Sequence, residues 1–383
     1  MATIVERRSA DGTRTWQAKI RRRGAPSIAR TFDLKADAEA WAREIERDLQ
    51  RGNLAALRQD ALRVTVSDVI TRYKVDALPK LRSKSAAAYV EAVGKKFGRL
   101  FLGHIRGVDV ADWRDDLLKS GLSPQSVLHH LHTLSAIFRF AEQDLSIELP
   151  AGNPARKISK PERPKSRERR LRPGEYEALL AAATTTVGLR EIVILAVETS
   201  MRLGELLALR WADVDLTRRT AHLPTTKNGD SRTVALSSTA VEALQALPRR
   251  MDGRVFTWKR ADSFESIWRR MRVRARKAHV LSRLKAELCA QMTEADADSE
   301  IRAMVYRKRE PRPSTCALHD RIIKTEPFLE DLRFHDLRHE SISRLFEKGL
   351  GIMDVSSMSG HKTLSMLKRY THIEAAKLAQ KLG

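Results

Sequence analysis

"GHKTLSMLKRYTH", residues 360–372, sets two histidines, three basic residues and a single tyrosine, Tyr370, close to the C-terminal end. The chain has only five tyrosines. A tyrosine at such a place is by default a ring packed on a helix. It becomes a nucleophile only if the rest of the chain brings it charge and proton-handling groups. The other polar residues that interrupt apolar helical runs in the C-terminal half therefore decide its reading.

Three such segments exist. "ETSMRLGELLALRW" (198–211) carries Arg202 and Glu205 in an otherwise apolar helical pattern. "RFHDLRHESISRLFEKG" (333–349) opens a helix with His335, Arg338 and His339, and His335 and Arg338, three apart, share a face. "TAHLPTTKNGDSRTVALS" (220–237) alternates on both sides of Asn228-Gly229, the strongest short hairpin signal, and sets Lys227 at the tip. Each has a plain reading by itself. Arg202 and Glu205 make an ordinary helical ion pair. Lys227 is a solvated turn residue. His335 and His339 have the spacing of a helical metal pair, but no carboxylate stands between them in the zincin manner, and an adjacent guanidinium opposes a cation. No metal is expected.

Taken together they make one chemistry. Two arginines can hold the non-bridging oxygens of a phosphodiester and offset the charge of a pentavalent transition state. Histidines hydrogen-bond the same oxygens and assist proton movement. A lysine can protonate a leaving alkoxide. A tyrosine hydroxyl can attack phosphorus where nearby guanidinium charge favours phenolate. Neither metal, nucleotide nor other cofactor is required.

Composition agrees. The 383 residues carry a formal net charge of +23 and a pI of about 10.4, so a polyanion is the expected partner, against the alternative of a merely solvated basic surface. Cys289 and Cys316 form neither a ligand spacing nor a disulfide framework, which fits a reducing cytosol. The opening "MATIVERRSADGTRTW" lacks the apolar core of a signal peptide. No apolar run approaches the ~18 residues of a membrane span.

The expected fold class is mainly α with small β-sheets (α+β), in several domains. Residues 1–58 read as a three-stranded sheet plus helix: "ATIVERR", "WQAKIRRR" and "IARTF", then "KADAEAWAREIERDLQRG". The strands carry Arg7, Arg8, Arg14, Lys19, Arg21, Arg22, Arg23 and Arg30, and a sheet presenting them can enter a groove and contact phosphates. Residues 63–150 read as all-helical, with a capping box at "TVSD" (65–68) and a helix opening at Ser123-Pro124. His129, His130 and His132 on that last helix read as surface or phosphate-contacting. Residues 151–173 read as a linker. The core of it, 152–173, holds nine Lys/Arg against two Glu. Its Arg156, Lys157, Lys160, Arg169 and Arg170 are candidates to stay solvated or to lie along a phosphate backbone. Residues 174–383 form a mixed, mostly helical domain.

The order Arg202, Lys227, His335-x-x-Arg338, His361, Tyr370, with its surrounding text, resembles the tyrosine recombinases, or phage integrase family. The resemblance is strong over 174–383. It makes 63–150 similar to the family's helical core-binding (SAM-like) domain, and 1–58 similar, more weakly, to an arm-type DNA-binding domain. It implies Tyr370 as the nucleophile forming a 3′-phosphotyrosyl bond, Arg202 and Arg338 as the phosphate clamp and Lys227 as general acid. His335 and His361 would support phosphate and proton transfer. Glu205 would position Arg202, and His339 would support from behind. It also implies double-stranded DNA as partner and a homotetramer on DNA formed from free monomers, together with accessory bending or directionality factors. The tail 373–383 has the apolar spacing of a helix, which either folds onto its own domain or, as the resemblance implies, docks on a neighbouring protomer. One departure is 281–330, which reads as an insertion, a surface excursion or interface element ahead of the His335 motif. The function expected is a site-specific integrase of a phage, genomic island or other mobile element. A DNA-inversion recombinase of shufflon type, a relaxing enzyme with type IB topoisomerase chemistry and a non-catalytic DNA-binding regulator stay as alternatives.

Overall fold

The computed structural model describes residues 2–8, 14–21, 27–50, 60–81, 83, 85–149, 151–164, 167–224, 231–306 and 309–370. Lys227, Arg22, Arg23, the Asn228-Gly229 turn and the tail 373–383 lie outside them. The chain divides into two compact units between Ser166 and Arg167, within the stretch expected to be a linker.

In the first unit, β1 (Ala2–Arg8), β2 (Arg14–Ile20) and β3 (Ile28–Phe32) form an antiparallel sheet in that order, followed by α1 (Lys35–Gln50). Ile4, Trp16, Ala18, Ile20 and Phe32 alternate onto one face and bury against Ala38, Trp41, Ala42, Ile45 and Leu49 of α1. Thr3 pairs with Lys19 and Arg7 with Thr15. That register puts Arg7, Lys19 and, one residue past β2, Arg21 on the open face. It also corrects the expectation of a uniformly basic face. Arg8, Arg14 and Arg30 have the other parity. Arg8 and Arg14 lie 3.3 and 3.7 Å from Glu6, and Arg30 sits over the Phe32 ring.

The rest of this unit is helical: α2 (Val66–Asp76), α3 (Ala86–Phe97), α4 (Gly107–Lys119) and α5 (Pro124–Gln143). Thr65 and Asp68 close the capping box at 3.2 and 2.9 Å, and Ser123 caps α5. Val69, Val93, Phe97, Trp113, Leu131, Leu134 and Phe138 form the core. His130 belongs to that core and not to the surface, contrary to the sequence reading. Its Nδ1 meets the Ser126 carbonyl at 2.8 Å, and its ring lies edge-on to Tyr89 and Trp113. His129 and His132 are exposed. Asn153 fastens the chain beyond α5 by donating to the Ser135 carbonyl and accepting from Ala155 N–H. Arg156, Lys157 and Lys160 are exposed.

The second unit is built on α6 (Glu175–Ala182), α7 (Leu189–Thr199) and α8 (Leu203–Ala208), a sheet of β4 (Val214–Asp215), β5 (Thr220–Leu223) and β6 (Arg232–Ala235), then α9 (Ser238–Gln245) and α10 (Ala261–Cys289). It continues through α11 (Glu294–Tyr306), α12 (Pro313–Thr325), α13 (Phe334–Glu347), α14 (Ile352–Ser359) and α15 (Leu364–Leu367). α7 is apolar on nearly every side and is the centre of the main core.

The expected insertion is ordered and helical. α10 has one apolar spine at helical spacing: Phe264, Trp268, Met271 and Ala275 enter the main core, and Val280, Leu284 and Leu288 enter a second core with Ala297 and Ile322. Residue 281 is therefore the interior of a continuous helix, and α11 and α12 pack on its far half. Buried Glu300 pins their connection, accepting from Arg312 N–H, Arg309 and the Thr315 hydroxyl at 2.7–2.9 Å.

Arg167, Arg169 and Arg170 are docked on this unit, because carboxylates meet them, of which Asp336, Glu175 and Glu340 are buried. Arg167 donates to Asp336, Arg169 to Glu175, and Arg170 to Glu340 and Glu347. Asp336 and Glu340 lie on α13, the helix that carries His335, Arg338 and His339.

Candidate active site

Four segments meet around Arg338. α7 ends at Thr199, and Ser200 turns the chain with a left-handed φ of 55°. That turn aims the Ser200 carbonyl at Arg338 Nη1 and starts α8 with Arg202 at its N-cap. From the other side, the Ser359 carbonyl accepts from Arg338 Nη2. Arg338 is 3% exposed and is held by two backbone carbonyls. Burial lowers its pKa to about 9, and the positive charges of Arg202 and Arg232 add to this, while Glu205 and Tyr370 oppose it.

Glu205 is the hub of the arginines. Its carboxylate accepts from Arg202 Nη1 at 2.9 Å and Arg202 N–H at 2.9 Å, and from Arg232 Nη1 and Nη2 at 3.0 and 2.6 Å. Burial pushes its pKa up, but the bonds from Arg232 and Arg202 outweigh this and hold it below the usual carboxylate range. Two guanidinium groups thus share one carboxylate and Arg338 adds a third positive charge beside them, which leaves the site electropositive.

α14 ends at Gly360, whose φ of 68° favours glycine. A Cβ there would also stand 3.1 Å from Arg232 Nη1. The turn presents His361: Ser359 Oγ meets its Nδ1 at 2.7 Å, and Ser356 Oγ donates to its carbonyl at 2.7 Å. Tyr370 follows α15 in a single 3₁₀ turn and packs its ring toward Ile342, Leu345, Val355 and Leu367. The Tyr370 hydroxyl meets His339 Nδ1, with the rings stacked at 5.7 Å, and His335 crosses His339 edge-on at 5.1 Å.

Arg202, Glu205, His335, Arg338, His339, His361 and Tyr370 therefore belong to one cluster, and Lys227 lies outside the described residues. Sequence reading missed Arg232 and the two carbonyl anchors, Ser200 and Ser359. One signal for Arg232 was available: it has the parity of buried Val234 in an alternating strand, an inward position where a charge needs a partner. Of the linker candidates, Arg169 and Arg170 are engaged with carboxylates. Among the described residues, no group of three or more His, Cys, Asp or Glu side chains could hold a metal, and no helix is long and apolar enough to cross a membrane.

Residues 169–377 match the model of the phage integrase family. A shufflon-specific DNA recombinase of Escherichia coli is 35% identical over 291 residues, covering 73% of this chain, and the chain spans 61% of that relative's length. Among solved structures, the Tn1549 transposon integrase (residues 82–397) with circular intermediate DNA aligns with a TM-score of 0.56 at 16% identity, covering 84% of this chain and 99% of its own. A lambda integrase tetramer bound to a Holliday junction aligns with a TM-score of 0.53 at 16% identity, covering 95% and 94%. The matched segment runs from the docked arginines through Tyr370 and holds every member of the cluster, so the chain belongs to the phage integrase family.

Proposed function

We propose that this protein cuts and rejoins DNA at specific sites through a 3′-phosphotyrosyl intermediate. The observation that carries the reading is the cluster itself: Arg202, Arg338, His361 and Tyr370 come from four separate segments into one site with cations in excess. Arg202 and Arg338 hold the non-bridging oxygens of the scissile phosphate and offset the charge that builds there. The Tyr370 oxygen attacks phosphorus, and His339 Nδ1, at the hydroxyl, is placed to take its proton. Lys227 protonates the departing 5′-oxygen. His335 and His361 hydrogen-bond the phosphate oxygens. The bond energy is kept in the phosphotyrosyl ester, so reversal with a new 5′-hydroxyl rejoins strands without ATP.

The DNA would be held by basic groups outside the cluster: Arg7, half-buried Lys19 and Arg21 on the open sheet face, and exposed Arg156, Lys157 and Lys160 beyond α5. Assembly as a tetramer on two sites, by analogy with the lambda integrase, follows from the same reading. The 35% identity to a shufflon-specific recombinase favours DNA inversion as a second use of the same chemistry.

The test is a nicked suicide duplex from the DNA flanking the gene, with wild type and Tyr370→Phe compared on a denaturing gel and by band shift. A covalent adduct with wild type alone, with both proteins binding, is expected. Binding by both with no adduct from either would mean a DNA-binding regulator.

A further inference from the structure

Arg232 is the charged group in the cluster for which the reaction, as derived above, has no use. Its side chain is only 10% exposed, yet every part of it is engaged. Nη1 and Nη2 clasp both oxygens of Glu205, Nε donates to the Met358 carbonyl at 3.0 Å, and the guanidinium packs on Gly360. It therefore ties β6 to the start of α8 and to the turn that presents His361. Arg202 is held differently. Its side chain, 21% exposed, gives Glu205 one N–H at Nη1, and among the described residues its other side-chain N–H groups have no protein acceptor.

A carboxylate beside a phosphate-binding arginine is a competitor for it. Glu205 has four lone-pair sites. Two are filled by Arg202 and two by Arg232, and Arg232 supplies the shortest of the four bonds. Without Arg232, both oxygens would turn to Arg202, the fork would close on the carboxylate as a two-point pair, and its charge would be cancelled where the phosphate must sit. The Met358–Gly360 turn would lose its side-chain anchor at the same time.

We propose that Arg232 is a positioning residue for phosphate activation: it saturates Glu205 from the far side, so that the remaining N–H groups of Arg202 and their charge stay directed at the scissile phosphate. This rests on the reading of Arg202 and Arg338 as the phosphate clamp. Arg232 itself touches no reacting atom.

The test compares wild type, Arg232→Gln, Arg232→Lys and Arg202→Ala in single-turnover adduct formation. Two suicide duplexes are used, one with the ordinary scissile phosphate and one with a methylphosphonate there, which lacks the charge the clamp must offset. Arg232→Gln should bind the ordinary duplex as wild type does, with an unchanged salt slope, and cleave it ~10²-fold more slowly, the scale of an ångström of misplacement. On the methylphosphonate most of that deficit should vanish, as it should for Arg202→Ala. Arg232→Lys, which keeps the charge but not the two-point clasp, should fall between. General damage to the fold would slow both substrates alike, and that result for either Arg232 variant overturns the proposal. So does a weaker binding with a shallower salt slope, which would make Arg232 a DNA contact. If Arg202→Ala is rescued and Arg232→Gln is not, only this proposal falls. If wild type forms no adduct, or Arg202→Ala is not rescued, the clamp reading falls and takes this with it.

Discussion

Replacing Arg169 by alanine separates two roles that its sequence position leaves open. In a basic linker it looks like a phosphate contact, whereas the fold makes it a strut. Its side chain is 10% exposed, and Nη2 sits 2.6 and 2.8 Å from the oxygens of Glu175, itself 0% exposed. Removing one partner of a buried pair costs about 3–5 kcal/mol. Glu175 would keep two backbone donors, Leu329 N–H at 2.7 Å and Arg172 N–H at 2.8 Å, so the lower figure applies. In a unit of ~200 residues each kcal/mol moves the melting temperature by about 2–4 °C. Arg169→Ala should therefore lower the melting of the second unit by ~6–12 °C. The DNA affinity of the folded protein should keep its salt dependence. A phosphate contact would do the reverse: the slope of log K against log salt would fall by ~0.9, with little change in melting. Thermal denaturation by circular dichroism and a salt titration of DNA binding measure both, and Lys160→Ala, exposed, should follow the second pattern. An Arg169→Ala protein that melts like wild type and loses salt slope would refute the strut.

Two further outcomes follow from the packing of this unit. Ser200 holds a left-handed backbone, is fully buried, and its hydroxyl has no partner among the described residues. Ser200→Gly should relieve about 1–2 kcal/mol of backbone strain against about 0.4–1 kcal/mol of added unfolded-state freedom. The net gain, about 0.8 kcal/mol at the middle of these ranges, should raise melting by ~2–3 °C, and a fall in melting would refute the strain argument. In acid, Glu205 and Glu340 act together. Burial raises both, but arginine hydrogen bonds and charge outweigh it and leave both below the ordinary 4.5. A carboxylate depressed in the folded state stabilises it above the unfolded pKa and stops doing so as pH falls through the folded one. Melting should be level above about pH 5 and fall steadily below about 4.5, less steeply in Glu340→Gln. Parallel curves for the two proteins would remove Glu340 from the account.

What was legible in the sequence was short in range. The capping box at Thr65 and Asp68, the alternation of β1 to β3 and the helical spacing of α5 depend on neighbours a few residues apart. The order of polar residues in the second unit was legible because each interrupts an apolar pattern. The rest depends on partners that spacing cannot reveal. Arg167 finds Asp336 across 169 residues and Arg170 finds Glu340 across 170, so a run that reads as free charge is docked. His130 reads as polar on a helix surface, yet one local acceptor, the Ser126 carbonyl, satisfies it and lets it be buried. The stretch 281–330 reads as an insertion because the family resemblance leads to the His335 motif sooner, while the spine of α10 passes through residue 281 unbroken.

The net charge of the chain also divides in a way that composition hides. Arg169 and Arg170 are held by carboxylates, and each such pair cancels the charge it fixes in place. Arg338 is held by the carbonyls of Ser200 and Ser359, whose dipoles fix its fork without cancelling its charge. Burial, Arg202 and Arg232 all act against that charge, and this is why its pKa sinks to about 9. A fold tolerates a buried cation in that condition when an anion joins it in the working state. A phosphodiester is such an anion: it would bring one negative charge and two free oxygens to a site where Arg338 is oriented but not neutralised and Arg202 shares its carboxylate with Arg232. The carboxylate that meets Arg202, Glu205, is already saturated by Arg232. Uncancelled positive charge therefore stands at the Tyr370 cluster, where the proposed function would seat a phosphate.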